Sequence, residues 1–215
     1  MATTLPRSFY ARDPVVVARE LLGAELHRRE ADGSVSRVTV SETEAYSQTD
    51  PASHSFRGET ARTEVMFADP GRAYVYFIYG MYFCFNVVCE PDGVGAAVLV
   101  RGGKPVTGIN RMAERRGIPG ADDPAPLSER QLAKIGSGPG KLCQALAIRR
   151  DEHNGTDLTD KGSPLFITAG TSVSDMDVLV GSRIGIREAR ERPWRFGIRG
   201  SCGVSRHPFV IAGPE

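Results

Sequence analysis

Residues 73–87 read Ala-Tyr-Val-Tyr-Phe-Ile-Tyr-Gly-Met-Tyr-Phe-Cys-Phe-Asn-Val, with four Tyr and three Phe around one Gly. Aromatic and β-branched residues on both sides of a Gly-containing turn are typical of a β-hairpin. Alternation along the first strand predicts two faces, one with Tyr74, Tyr76 and Ile78 and the other with Val75, Phe77 and Tyr79. The stretch therefore predicts two antiparallel strands that turn near Tyr79-Gly80-Met81.

The predicted tip is unusual, because loop tips are normally polar and this one carries Tyr79 and Met81. Two interpretations are open. In one, the hairpin belongs to the core and another element covers its tip. In the other, the tip is a wedge, since large apolar side chains on a protruding tip can push between base pairs in the minor groove.

The chain has 215 residues, of which 40% are hydrophobic and 25% are charged. This composition is ordinary for a globular protein, and the length predicts a single domain, residues 1–215, with a sizeable core. No apolar run approaches the length of a membrane span, and Met1 to Ser8 lack the basic-then-apolar pattern of a signal peptide. We therefore expect no membrane partner and an intracellular location, in the cytoplasm or nucleoid.

The residue types that commonly bind metals are scattered along the chain. No close pairing of the metal-site kind is present among the cysteines, Cys84, Cys89, Cys143 and Cys202. The histidines, His27, His54, His153 and His207, form no ligand spacing with cysteines or acidic residues. We predict no metal and no cofactor.

The net charge of +1 argues weakly against a nucleic-acid partner, but this total does not show that basic and acidic residues are concentrated in different segments of the chain. Residues 101–150 hold ten Lys/Arg and four Asp/Glu, and residues 181–210 hold seven Arg and two Glu. Residues 151–180 hold one Lys and six Asp/Glu. Two basic segments could give a basic face on a nearly neutral protein; alternatively, the charges mix on the folded surface.

Strand and helix patterns follow one another irregularly. Besides the hairpin, strands are predicted at Glu25–Arg29, Val35–Ala45, Ala96–Arg101, Leu165–Thr168, Arg183–Ile186 and Trp194–Arg199. Helices are predicted at Val15–Leu22, Glu64–Ala68, Pro105–Arg116, after a capping box at Ser128, and at Lys141–Ile148, with a surface loop at Gly117–Pro126. Because the order is not a strict βαβ alternation, the predicted class is α+β with mainly antiparallel pairing.

Two glutamates stand near the end of the predicted strand Val35–Ala45. The residues that share one parity are Val38, Val40, Glu42, Glu44 and Tyr46. If the valines face inward, both glutamates do too. An inward carboxylate at a strand end is unfavourable unless it is paired or used, so both glutamates are candidates for a functional site.

Glu44 with Arg101 is the strongest catalytic candidate, because each stands at the end of a predicted strand. A carboxylate can activate a water, and an Arg can orient it or stabilise charge. The alternative is a structural salt bridge at the sheet edge. Glu42 and Glu44 could instead be a carboxylate pair for sugar hydrolysis, but such carboxyls face each other across the bond, whereas these two lie side by side.

The Gly-rich run Gly136–Lys141 resembles a phosphate-binding loop at a helix N-terminus. It departs from the P-loop pattern, because position 142 is Leu and position 135 is Ile. It could still hold a backbone phosphate of DNA or RNA, or it could simply connect to a buried helix.

Seven segments in order resemble the alkyladenine (3-methyladenine, N-methylpurine) DNA glycosylases. They are Glu42-Thr43-Glu44-Ala45-Tyr46, Ala52-Ser53-His54-Ser55, Met66-Phe67, Tyr74–Asn86, Leu99-Val100-Arg101, Ser137–Ile148 and Arg199-Gly200-Ser201. The resemblance covers nearly the whole chain, from about Phe9 to Phe209. It implies a monomeric single-domain α+β protein whose mainly antiparallel, curved sheet is flanked by helices and carries a protruding, DNA-inserting hairpin.

The resemblance also implies a chemical step. Glu44 looks like the family's general base, which activates the water that attacks the sugar C1′, and Arg101 looks like the residue that positions the water and the carboxylate. The reaction would remove alkylated or deaminated purines of the 3-methyladenine, 7-methylguanine or hypoxanthine type from duplex DNA and leave an abasic site. No lysine nucleophile is required, so the enzyme is expected to be monofunctional.

Further roles follow from the same resemblance. Tyr46, His54 and Tyr76 look like the pocket for the flipped base, and Asn86 looks like the residue that excludes normal guanine. The gap left in the duplex would be filled by Tyr79 with Met81 beside it, and the DNA backbone would be contacted by Lys141 and Arg199. The alternative that remains is a non-catalytic nucleic-acid-binding module that uses the hairpin as a wedge.

Overall fold

The computed structural model describes residues 3–119 and 126–211, in which every strand belongs to one antiparallel sheet. Its strands are β1 (Glu25–Arg29), β2 (Val35–Tyr46), β3 (Ala73–Ile78), β4 (Tyr82–Val88), β5 (Ala97–Thr107), β6 (Leu165–Thr168), β7 (Val178–Gly181) and β8 (Arg195–Ile198). The helices are α1 (Arg7–Tyr10), α2 (Pro14–Glu20), α3 (Ile109–Arg115), α4 (Glu129–Gly136), α5 (Pro139–Ala145) and α6 (Arg150–His153), with 3₁₀ turns at Glu64–Phe67 and Asp175–Asp177. The predicted α+β class with antiparallel pairing is confirmed.

The long strand β2 organises the sheet. The strand order is β3-β4-β5-β2-β1-β6, and β2 pairs along one edge first with β1 and then with β8, which in turn pairs with β7. The other edge of β2 pairs with β5 over most of its length. Because β2 has different neighbours along one edge, the sheet curls, and the second half of β2 lies deep inside the molecule.

One face of the sheet carries the main core. Helices α2, α3 and α5 pack there, and their apolar residues form a single cluster with alternate residues of β4 and β5. Helix α2 begins as predicted, since Asp13 accepts hydrogen bonds from the backbone N–H groups of Val15 and Val16 at 2.8 and 3.2 Å and Pro14 is the first helical residue. The capping box at Ser128 is also confirmed, with Gln131 as its partner.

The predicted helix Pro105–Arg116 is wrong in its first part. Strand β5 continues through Pro105 to Thr107, and α3 begins only at Ile109, after Gly108 in the left-handed region. Pro105 pairs with Val38, next to a register shift, and proline is tolerated at such irregular points of a ladder. The predicted loop Gly117–Pro126 lies largely outside the described residues.

The predicted strand Arg183–Ile186 is also wrong. This segment is irregular in the structure, and Gly185 lies there at φ 78°, a conformation that interrupts a strand. The strand lies just before it instead, as β7, and pairs with β8.

A bulge in β2 shifts the alternation of its side chains. The prediction that both glutamates face the same side of the sheet as the valines is therefore wrong, although both glutamates are buried. The register against β5 shifts between Val40 and Thr43. Before the shift, Val38 and Val40 belong to the core cluster; after it, Ala45 belongs to the same cluster. Glu42 and Glu44 therefore face the opposite side of the sheet from the valines.

The aromatic strands β3 and β4 pair antiparallel with Ile78 opposite Tyr82, which leaves Tyr79–Met81 as the connection. Tyr79 is 80% exposed and Met81 is 65% exposed, so the interpretation of a covered tip is wrong. Tyr79 and Gly80 both adopt positive φ, 53° and 68°. A tyrosine in this region is uncommon, and it indicates that the tip residue is not chosen for turn stability.

Candidate active site

A cavity of about 450 Å³ lies on the face of the sheet opposite the main core. Its walls and floor come from β2, β3, β4, β5, the segment after β7, and the first residues of α5. The polar and aromatic side chains that line it are Tyr46, Ser53, His54, Tyr74, Tyr76, Tyr79, Tyr82, Asn86, Arg101, Arg187 and Glu188. A concave, aromatic site with a few converging polar groups is the ordinary form of a ligand pocket.

The carboxylate of Glu44 is completely buried beside this cavity, and each of its partners lines the cavity. Tyr46 Oη donates to Glu44 Oε2 at 2.8 Å, and the backbone N–H of Ile184 donates to Oε1 at 2.7 Å. Arg101 Nη1 lies 3.2 Å from Oε2. The carboxylate is therefore fixed in orientation by two hydrogen bonds and an ion pair, which reach it from three different segments of the chain.

Arg101 joins the two glutamates. Its Nε donates to Glu42 Oε1 at 3.1 Å while its Nη1 faces Glu44. Burial alone would lower the pKa of Arg101, but the two carboxylates outweigh this effect and raise it. The guanidinium is therefore a permanent cation on the cavity floor, between two buried carboxylates.

Glu42 lies on the same sheet face, but it is enclosed by protein. Arg195 Nε donates to it at 2.8 Å, and Ser205 donates from its backbone N–H at 2.7 Å and from its hydroxyl at 3.0 Å. Burial alone would raise the pKa of Glu42, but Arg101, the Ser205 N–H and Arg195 together lower it. Of the donors to Glu42 only Arg101 lines the cavity, whereas Arg195 and Ser205 do not, so Glu42 has the surroundings of a structural ion pair.

The segment that covers Glu42 packs closely on β5. A Cβ added to Gly203 would lie 2.6 Å from the carbonyl carbon of Gly103, so only glycine fits at this contact. Ser201 Oγ is hydrogen-bonded to Ser41 Oγ at 2.9 Å on the same side. The residues after β8 thus close the sheet over Glu42 and leave the neighbouring Glu44 as the carboxylate next to open space.

Three aromatic rings meet on the wall formed by β3. His54 Nδ1 is hydrogen-bonded to Tyr74 Oη at 3.1 Å, and the His54 ring meets that of Tyr76 edge to face at 4.6 Å between centroids. Burial, with a contribution from Arg62, lowers the pKa of His54, so the ring is neutral near pH 7. Burial and the Glu44 carboxylate raise the pKa of Tyr46, which therefore keeps its proton and remains a donor.

Asn86 lies opposite Tyr74 in the β3–β4 ladder and shares the cavity face with Tyr76. Its Nδ2 donates to the carbonyl oxygen of Tyr74 at 3.1 Å, which fixes the amide plane. Because the side chain is buried and its orientation is held by the backbone, Asn86 is a rigid part of the cavity floor.

The segment after β7 was missed by sequence reasoning, which placed a strand there. Five consecutive residues of it line the cavity, from Ile184 to Glu188. The preceding residue, Arg183, forms a completely buried ion pair with Asp50. A sequence signal that favoured a loop was Gly185, which interrupts the predicted strand between Ile184 and Ile186.

The two residues that were expected to contact the DNA backbone, Lys141 and Arg199, lie in different surroundings. Lys141 is an exposed residue of α5, directly after Pro139 and Gly140, which line the cavity. Arg199 is exposed just after β8, and its Nε donates to the carbonyl oxygen of Met176 at 3.4 Å. Neither residue is among the lining residues, but Lys141 directly follows two residues that are.

No group of three or more His, Cys, Asp or Glu in residues 3–119 and 126–211 is arranged to hold a metal ion. Among the helices of the same residues, none combines the length and the apolar character needed to span a bilayer.

Comparisons with known proteins agree with this geometry. A model of the methylpurine-DNA glycosylase family matches residues 8–202. A relative from Carboxydothermus hydrogenoformans is 47% identical over 94% of this chain and 98% of its own length, and one from Rhizobium etli is 46% identical over 94% and 89%. A third, from Methanoculleus marisnigri, is 45% identical over 94% and 99%; all three carry the name "Putative 3-methyladenine DNA glycosylase".

These matches confirm the resemblance and favour an enzyme over a non-catalytic nucleic-acid-binding module. The family model spans nearly the whole chain, and the relatives align with it almost from end to end. The chain therefore belongs to the methylpurine-DNA glycosylase family and is a DNA glycosylase, a hydrolase of N-glycosidic bonds.

Proposed function

We propose that this chain is a monofunctional base-excision enzyme that flips damaged purines out of duplex DNA and hydrolyses their N-glycosidic bond with a water activated by Glu44. The substrates are alkylated or deaminated purines of the 3-methyladenine, 7-methylguanine and hypoxanthine type. The observation that carries the proposal is a completely buried carboxylate whose partners all line an aromatic cavity: Tyr46 and Ile184, which donate hydrogen bonds to it, and Arg101, which forms an ion pair with it.

In the chemical step, the Glu44 carboxylate accepts a proton from water while the water oxygen forms a bond to C1′. The bond between C1′ and the purine nitrogen breaks, and the base takes the electron pair. An N-alkylated purine is cationic and leaves as a neutral base, so a general base is sufficient, whereas hypoxanthine leaves as an anion that takes up a proton from solvent. Arg101 holds the carboxylate and the water in place, and since no amine nucleophile takes part, the sugar–phosphate backbone stays intact.

The aromatic wall suits a flipped purine. Tyr46, His54 and Tyr76 provide ring faces and polar edges, and π-rich surroundings favour cationic rings. The neutral state of His54 avoids repulsion of a cationic base. Asn86 excludes normal guanine, because its rigid amide crowds the position of the exocyclic amine.

The exposed tip of the β3–β4 pair supports the opened duplex. Extruding a base costs a few kcal/mol and is easiest for weakened pairs. Tyr79 fills the gap left by the base, with Met81 beside it, and both side chains are exposed in the absence of DNA. Lys141 and Arg199 contact phosphates, and the protein acts as a monomer on double-stranded DNA.

Replacing Glu44 with glutamine tests the proposal. The amide has nearly the same shape but cannot accept the proton, so Glu44→Gln should slow excision by about 10²–10⁴-fold while binding to damaged DNA persists. The measurement is single-turnover release of hypoxanthine from a duplex oligonucleotide, read as strand cleavage after alkali, together with the dissociation constant of the same duplex.

Glu30→Gln is a matched control, because Glu30 is also a buried carboxylate, held by Arg115 and Ser36, but lies outside the cavity. This variant should excise at the wild-type rate. Excision by Glu44→Gln within about threefold of wild type, roughly 0.6 kcal/mol, would remove Glu44 from the role of general base.

A further inference from the structure

The wall of the cavity opposite the aromatic strands is an irregular segment, Ile184–Glu188, with no ladder of its own. We propose that Arg183 is the positioning residue that anchors this wall and, through it, sets the orientation of the Glu44 carboxylate. The inference rests on the proposed role of Glu44 and adds a requirement to it, namely that the base works only when the buried Arg183–Asp50 pair is in place.

The contacts of Arg183 connect three segments. Its guanidinium forms a completely buried ion pair with Asp50, in which Nη2 donates to Asp50 Oδ1 at 3.1 Å. Nη1 donates to the carbonyl oxygen of Ala45, on β2, at 3.0 Å, and Nη2 donates to that of Ala189 at 3.4 Å. Ala45 is the residue after Glu44, and Ala189 directly follows the wall, so one side chain fixes the wall at both ends against the catalytic strand.

The same guanidinium also lies against Tyr46. Arg183 Cζ is 4.7 Å from the centroid of the Tyr46 ring and 5.2 Å from that of Trp194. A planar cation over an aromatic face restrains the ring and is attracted by it. Tyr46 is therefore held by Arg183 on its face while its hydroxyl donates to Glu44.

Both oxygens of Glu44 thus depend on Arg183. Oε1 accepts from the backbone N–H of Ile184, the next residue in the chain, and Oε2 accepts from Tyr46, on which Arg183 packs. Loss of the guanidinium would release the two donors together. Since a misplacement of about 1 Å can lower a rate by about 10²-fold, Arg183 should affect the chemical step although it touches no substrate.

Arg183→Lys tests this proposal, because lysine keeps the charge beside Asp50 but lacks the planar fork and the stacking surface. We expect a folded protein whose single-turnover excision of hypoxanthine is slowed about 10- to 100-fold, with its affinity for the damaged duplex within about threefold of wild type. The matched control is Arg115→Lys, because Arg115 also binds a buried carboxylate, Glu30, and a carbonyl oxygen, that of Ala145, away from the cavity. This control should excise at the wild-type rate.

A double-mutant comparison distinguishes positioning from general structural support. In the Glu44→Gln background, Arg183→Lys should slow the residual excision no further, because the group that it positions is already absent. Equal slowing in both backgrounds, or excision by Arg183→Lys within about threefold of wild type, would overturn the proposal.

If Arg183→Lys does not fold, the paired change Arg183→Met with Asp50→Asn removes both charges and leaves no buried ion without a partner. It should fold and show the same slow excision and the same absence of effect in the Glu44→Gln background; wild-type excision by this pair would overturn the proposal. Failure of the proposed function is seen separately, since Glu44→Gln alone would then remain active whatever Arg183 does.

Discussion

Glu42 and Glu44 lie two residues apart on β2, face the same side of the sheet and are both completely buried, but their surroundings differ in what lies beyond the carboxylate. Glu42 is enclosed by other parts of the protein, with Arg195 and Ser205 donating hydrogen bonds to its carboxylate. Around Glu44 the donors themselves border a cavity. The comparison shows that burial and residue type alone do not distinguish a structural carboxylate from the one proposed as the base. What differs is that all the partners of Glu44 line the cavity, whereas of the donors to Glu42 only Arg101 does.

The largest expected effect is a difference in the free energy of unfolding between the variants of the two carboxylates. Glu42→Gln should lower the free energy of unfolding by about 3–5 kcal/mol, because it leaves the buried Arg195 without a charged partner. Glu44→Gln should lower it by clearly less, since Arg101 retains Glu42. Urea unfolding of the two variants beside wild type measures both values, and equal losses would contradict the division into a structural and a catalytic carboxylate.

A substitution at the hairpin tip should have a different effect from a substitution of either carboxylate. Tyr79→Ala should weaken formation of the flipped state by about 1–3 kcal/mol, because a base-stacking aromatic ring is lost. Stability should hardly change, since the side chain is 80% exposed. Fluorescence of a base analogue beside the lesion reports flipping, and the defect should largely vanish when the target base is already unpaired.

Phe77→Ala is the control for the tip. Phe77 is on the same hairpin and is half-exposed, but it packs on Phe83 on the face away from the cavity. This change should leave flipping intact. A large fall in the melting temperature of Tyr79→Ala with normal flipping would show that the tip residue acts in folding and not on DNA.

The contribution of Glu42 to stability should also depend on pH. The folded-state pKa of Glu42 lies below its ordinary value of 4.5, so its contribution to stability is present above that pH and is lost as the pH falls through the folded pKa. The difference in unfolding free energy between wild type and Glu42→Gln should therefore narrow below about pH 4.5. Chemical denaturation at several pH values tests this, and two parallel curves would contradict it.

The smallest expected effect is a gain of activity from a change at Asn86, a residue of β4 that lines the cavity. Asn86→Ser should release normal guanine from duplex DNA above the wild-type level, because the amide that crowds its exocyclic amine is gone. The control is Asn154→Ser, since Asn154 also binds the backbone of β3, where its Oδ1 accepts from Val75 at 2.9 Å, but it does not line the cavity. Guanine release equal to wild type by Asn86→Ser would remove Asn86 from selectivity.

Local patterns predicted much of the fold. The aromatic strands, helix α2 with its Asp13 cap, and the capping box at Ser128 depend on residues close in sequence, and the structure has all of them. The helix at Pro105 was wrong because proline suits both a first helical turn and an irregular strand, and only the pairing with Val38 decides between them.

The site was less accessible to sequence reasoning, because its geometry depends on long-range contacts. The face of Glu44 was argued from an unbroken alternation, but the bulge in β2 shifts the parity, and bulges leave little trace in a single sequence. The basic segments did not simply form a basic face either, since Arg101, Arg183 and Arg195 are buried against carboxylates. Their role as partners of Asp50 and the glutamates can be recognised only from the folded structure, because these carboxylates are distant in the sequence.

The donor to Glu44 from Ile184 comes from 140 residues further along the chain, and the donors to Glu42 from Ser205 come from 163 residues further along. A growing polypeptide therefore has the aromatic strands β3 and β4 early but lacks the completed carboxylate site until almost all of it has been synthesised. Because a glycosylase creates abasic sites, we expect this late assembly to be protective, since a chain that ends before Ile184 lacks one of the hydrogen bonds that hold the proposed base. Catalytic competence thus reports on the integrity of the whole domain.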